Sequence, residues 1–212
     1  MIFYCSLMIY VVLRLELFIA IKLDEEWRNV WPIAAGRGKR MRRSLSLAAL
    51  SALNGVCVSI ISPSGDNLSL FLLSVIGGSF LMAAVTDYVT CNVYRFVWWV
   101  AWAAGLALLF FRATEGQDKL YVEELIIFCL LQELFFSKLY GRADCHGFCA
   151  GALTSCAIGG GMSDFLLCLT VAFGLLSVIQ GIKGNINRRG NLKKPVAFLP
   201  YIAVSTWVVL LM

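Results

Sequence analysis

Long apolar runs recur along this chain, and nothing else in the sequence constrains its fold as strongly. They cover residues 2–21, 44–61, 68–86, 96–111, 121–139, 147–160, 165–180 and 196–212, the sixth being the shortest. A helix that spans a bilayer needs about 20 mostly apolar residues. Lipid offers backbone groups no partners, so only helices or closed β-barrels cross it, and a barrel strand alternates apolar and polar residues. These runs are continuously apolar, which predicts an all-α, polytopic transmembrane helix bundle of about eight spans. Composition agrees: 60% of residues are hydrophobic and 15% charged, with mean hydropathy +0.80, against about 45–50% and about 25% in soluble domains. A soluble enzyme, a disordered tail and a nucleic-acid partner are excluded, whatever the net charge of +5 suggests. The eight Cys are scattered through apolar runs without a CxxC pair, so they read as small buried hydrophobes and not as a disulfide framework or zinc ribbon.

The first run lacks a basic segment before it and a small-residue cleavage site after it, so it reads as a retained helix, not a signal peptide. Orientation follows from the basic residues. Lys22, Arg28, Arg37, Lys39, Arg40, Arg42 and Arg43 crowd the first loop, and Lys183, Arg188, Arg189, Lys193 and Lys194 the last. With both loops in the cytoplasm and spans alternating, only Arg112 and Lys119 of the 18 Lys and Arg fall outside, and Arg14 within a span. The amino terminus is then external. The last loop is Gly/Asn-rich and contains no phosphate-cradling turn.

Few residues in such a chain can do chemistry. Asp87 ends the third run and Asp144 follows the fifth, which puts both at cytoplasmic helix ends. Two carboxylates held close together cannot both ionise cheaply and share one proton. One can then activate water as a base while the other, as an acid, polarises a carbonyl. Helix capping or a headgroup-facing position is the alternative for both. Arg14 and Glu16 lie two apart in the first span, on different faces, and call for partners on other helices or for snorkelling toward the inner surface. Gln132 and Glu133 read as interhelical hydrogen-bonding residues. Gly77-Gly78 marks a close helix contact, and Gly159-Gly160-Gly161 a turn. Cys145, His146 and Cys149 are too few for a zinc site, and no Ser sits in a nucleophile-type turn.

The wording around the two aspartates adds a resemblance. Gly141-Arg-Ala-Asp144 resembles the Gly-x-Gly-Asp signature of membrane aspartic proteases, which include the type IV prepilin peptidases, archaeal preflagellin peptidases and presenilins. Asp87, with Val93-Tyr94-Arg95 downstream, is similar to that family's first catalytic Asp and the Ile-Pro-Asn-like turn after it. Lys193-Lys-Pro-Val-Ala-Phe-Leu-Pro-Tyr-Ile-Ala203 looks like the element that opens the last prepilin-peptidase helix. The likeness divides the chain into residues 1–67, two N-terminal helices with a basic loop, and residues 68–212, a six-helix catalytic region. Three departures stand out: Ala143 replaces the second Gly of the signature, Tyr94 replaces the turn's Pro, and the CxxC-bearing methyltransferase region of larger family members is missing.

The resemblance implies an aspartic endopeptidase of the inner (plasma) membrane, multi-pass, with its active site facing the cytoplasm and serving type IV pilus assembly or protein secretion. Asp87 and Asp144 would be the catalytic pair, with Gly141 and Ala143 against the substrate backbone and neither metal nor organic cofactor. The substrate would be a prepilin-like membrane protein, whose basic leader is cut from an apolar helix at the inner interface. A glycine before the cut favours the local unwinding that hydrolysis requires. The rival readings are a small proton-coupled transporter, in which the aspartates relay protons, and a non-catalytic assembly factor.

Overall fold

The structure is a computed structural model that describes residues 1–24, 37–61, 66–90, 92–114, 121–186 and 197–210. Most of both basic loops, the turn after residue 61, residues 115–120 and Cys91 lie outside the described residues.

All regular structure among the described residues is helical. The helices are α1 (Ile2–Leu23), α2 (Arg37–Ile61), α3 (Asn67–Thr90), α4 (Arg95–Thr114), α5, α6 (Arg142–Ala157), α7 (Gly161–Ile186) and α8 (Leu199–Leu210). The stretch α5 changes register along its length: it is α-helical over Val122–Leu131, π-helical over Gln132–Phe136 and α-helical again over Ser137–Tyr140. Among the described residues, five helices are long and apolar enough to cross a membrane: α1, α2 from Met41, α3, α4, and α7 as far as Ile179. Over the described residues the chain is all-helical, and its five candidate spans mark it as a multi-span membrane protein. The remaining three sit where the fifth, sixth and eighth spans are expected: α5 is interrupted by its π-helical turn, and α6 has 16 residues and α8 has 12, about 24 and 18 Å at 1.5 Å per residue.

Helix α3 is the centre of the bundle, with 78% of its spanning window buried, as befits a helix apolar on every side. It packs against α1, α2, α4 and α8, while α6 joins α4 to α7, and α7 packs on α8. Asp66 starts α3 by accepting the Ser69 N–H at 2.9 Å, an N-cap that satisfies one of the free amides of the first turn. Within the helix, Ser74 and Thr86 return their hydroxyls to the carbonyls of Leu70 and Met82 at 2.7 and 3.0 Å, so these buried groups are satisfied without a partner helix.

The approach of α1 to α3 depends on Gly78. A Cβ there would lie 2.8 Å from Val12 Cβ and 3.4 Å from the Ile9 carbonyl oxygen. Between membrane helices, where lipid is as apolar as Leu, such small residues let dispersion contacts form. The next residue supplies the polar contact: Ser79 donates its hydroxyl to Glu16 Oε1 at 2.7 Å, and Glu16 is buried. Glu16 thus finds its partner on another helix. Arg14 instead lies exposed, 6.0 Å over the Tyr10 ring. Gln132 departs from expectation. It is buried in the π-helical turn, and its Oε1 has no hydrogen-bond partner among the described residues, while Glu133 is exposed.

Candidate functional site

Asp87 occupies the last turn of α3, between two threonines that fold their hydroxyls back on the helix. Thr90 donates to the Thr86 carbonyl at 2.9 Å. The carboxylate of Asp87 is buried and does not point into solvent: its Oδ2 accepts the backbone N–H of Leu199 at 2.9 Å.

This contact explains how α8 begins. The Phe198 carbonyl accepts the first intrahelical bonds, from Tyr201 N at 3.0 Å and Ile202 N at 3.4 Å, so Phe198 stands at the N-cap position. Its ring offers no oxygen to the free amides of the first turn, and Pro200 has no N–H to satisfy. Asp87 supplies the missing acceptor from another helix, and its charge faces the positive end of the α8 dipole.

Asp144 arrives from the other half of the chain. Gly141 breaks α5 from α6 with φ 98° and ψ 149°, a region open to glycine almost alone. Helix α6 restarts at Arg142, with the Cys145 N–H reaching the Gly141 carbonyl at 3.3 Å. Asp144 therefore lies in the first turn of α6, ahead of the apolar run that begins at Gly147. Burial pushes its carboxyl up to about 6, and the charge of Asp87 pushes in the same direction. The two aspartates, distant in sequence, are near enough at one end of the bundle to feel each other's charge.

Packing of α6 against α8 and α4 fixes that proximity. A Cβ on Gly147 would stand 2.9 Å from Leu199 Cδ2 and 3.0 Å from Trp98 Cη2. Leu199, whose amide Asp87 holds, is thus also the residue against which α6 closes. Phe148 meets Phe198 edge to face, ring centroids 5.7 Å apart, and Trp98 meets Phe80 of α3 in the same manner at 5.6 Å. The aspartates sit on a scaffold of four helices whose side chains interlock beneath them.

The other residues singled out from sequence fall around this centre. Gly141 is exposed, with open space where a Cβ would be, and Ala143 is half-buried against the core. Cys145 and Cys149 are buried in α6. Among the described residues, no group of three or more His, Cys, Asp or Glu gathers in a metal-binding arrangement. Gly159 and Gly161 have φ of 89° and 70°, in the turn between α6 and α7. Two contributors to the site were not anticipated. Gly147 sits one turn beyond Asp144 on an apolar helix, a position that signals close approach. The capping of α8 by Asp87 has no local signature, because donor and acceptor are 112 residues apart.

No protein-family model, curated protein or solved structure matches this chain.

Chemically, the arrangement offers one carboxylate fixed by a backbone amide and one carboxyl that holds its proton up to about pH 6. Such a pair can take a proton at one oxygen while giving one at another.

Proposed function

We propose that this chain is a membrane-embedded aspartic endopeptidase that cleaves the basic leader from type IV prepilin-like precursors at the cytoplasmic face of the inner membrane. The supporting observation is the convergence of three segments that share the resemblance to prepilin peptidases. The end of α3 with Asp87, the start of α6 with Asp144 and the start of α8 with Phe198 and Leu199 meet at one end of the bundle.

In this reading all eight helices belong to the membrane domain, with 68–212 as the catalytic region. The site opens toward the cytoplasm, where the leader of a precursor waits and where its apolar helix enters lipid. The aspartates share a proton. The ionised one removes a proton from water, while the protonated one donates to the scissile carbonyl oxygen, and water's oxygen adds to the carbon. Collapse of the tetrahedral species, with protonation of the leaving nitrogen, releases leader and mature chain. No group beyond the two carboxyls and water enters these steps. The exposed Gly141 borders the path of the substrate backbone.

The test is cleavage itself. Membranes containing the chain are incubated with a prepilin-like precursor, and the product is read by mass. The expected result is a product shortened by the leader, absent with D87N or D144N. A precursor left whole, together with Asp87-dependent proton flux into vesicles, would replace this reading with that of a small transporter. An intact precursor without flux would leave the assembly-factor reading.

A further inference from the structure

We infer that α1 is a positioning element for the site and acts through a hydrogen bond between Asp24 and Tyr94. This inference rests on the peptidase reading for its consequence on substrate, and on geometry alone for the tie itself. The Tyr94 hydroxyl donates to Asp24 Oδ2 at 2.5 Å, across 70 residues of sequence. Asp24 immediately follows the last residue of α1, and Tyr94 immediately precedes α4, in the short irregular segment that follows the helix carrying Asp87. Both residues are half-buried, and Val93, next to Tyr94, is buried.

The bond ends a continuous line of contact. Along one stripe of α1, Ile9 and Val12 close on Gly78 and Glu16 accepts from Ser79, and just past its end Asp24 accepts from Tyr94. These contacts advance down α1 and α3 together, toward the end at which Asp87 sits. The last of them is charge-assisted, the stronger class of hydrogen bond. It fastens a segment that otherwise has no regular structure, at residues 92–94. A Tyr ring has two side-chain torsions and loses little freedom on docking. Its hydroxyl therefore sets the path of the chain between Asp87 and α4 from outside that chain. Trp98, one turn into α4, carries the position onward to Gly147 and hence to the helix of Asp144. In the peptidase reading this segment forms one wall of the site where the substrate's extended backbone lies.

The variants Y94F, D24A and D24N remove the hydroxyl, remove the acceptor, or keep a neutral acceptor. Two measurements are made on each in membranes. The first is precursor cleavage against substrate concentration. The expected result is a KM raised about tenfold in Y94F and D24A, from loss of a charge-assisted bond, with kcat within about twofold and D24N close to wild type. The double variant Y94F/D24A should be no worse than either single change. The second is the rate of tryptic cleavage after the exposed Arg95 in vesicles open at that face. This rate should rise in Y94F and D24A and stay near wild type in D24N. An unchanged KM in Y94F, or losses that track protein level and reduce kcat alone, would overturn the positioning role. If wild type cleaves no precursor, the peptidase reading fails by itself, and the tryptic rate decides the tie. Equal rates in wild type, Y94F and D24A would then overturn it.

Discussion

Asp87 holds the start of α8 by accepting the backbone N–H of Leu199 at 2.9 Å. One carboxylate thus serves both as the cap of a distant helix and as a member of the acidic pair. The two duties are separable. Capping needs an oxygen acceptor, whereas proton exchange needs a titratable group. An asparagine keeps the first and loses the second.

That separation predicts a difference in stability. D87N should retain the level and thermal stability of wild type, because its side-chain oxygen still accepts from Leu199. D87A leaves the Leu199 amide without its acceptor in a buried position, at a cost of about 1–3 kcal/mol. Thermal unfolding in detergent would reveal it. Equal midpoints for D87A and D87N would show that the cap contributes nothing.

Asp144 carries a testable dependence on pH. Its carboxyl stands at about 6 instead of 3.8, so the folded chain keeps this proton where the unfolded chain has lost it. The resulting stabilisation is complete below 3.8 and disappears as pH rises through about 6. Burial is the larger cause and the Asp87 charge the second, so D87N should lower the midpoint without restoring the ordinary value. The infrared carboxyl band, difference-labelled at Asp144, follows this directly. A midpoint that does not move in D87N would break the electrostatic link between the two residues.

The helices were legible in the sequence, and the two aspartates stood out in it as candidates, because each rests on a local pattern. A long apolar run must become a helix in lipid, and a carboxylate at the end of such a run stands out. The shortening of α5 into separate α-helical pieces was not legible, because the π-helical turn at Gln132–Phe136 leaves hydropathy unchanged. The Asp87–Leu199 cap and the Asp24–Tyr94 tie escaped for another reason. Each joins residues brought together only by packing, and a backbone amide or a loop tyrosine carries no mark of its partner. Tyr94 is noticeable in the sequence only as a departure from a turn pattern. In the structure it is an anchoring point.

The break between α5 and α6 gives a third prediction. Gly141 adopts φ 98° with open space around it, so a side chain there meets no neighbour, and any penalty comes from the backbone. G141A should destabilise the fold by about 1–3 kcal/mol through that strain. A143G, at a half-buried helical position, should cost about 1 kcal/mol or less. Comparing their unfolding midpoints tests whether the conformation at Gly141 is required. A G141A midpoint equal to wild type would show that the chain can turn there in another way.

The most direct prediction concerns the acidic pair. D87N and D144N each preserve shape and hydrogen-bonding oxygen while abolishing proton exchange. Since water must be deprotonated and the carbonyl polarised in one step, each should reduce leader cleavage by about 10²–10⁴-fold or more. The double variant should be little worse than either single one, because the residues act as a unit. Neither substitution removes an acceptor, so protein in the membrane should stay at the wild-type level. D164N, in the first turn of α7, at the outer face in the proposed topology, should process precursor normally and controls for the loss of any acidic residue. Product mass and inserted protein are measured together in all variants. Cleavage that survives in D87N or D144N at normal levels would remove the carboxylates from the reaction and end the peptidase reading.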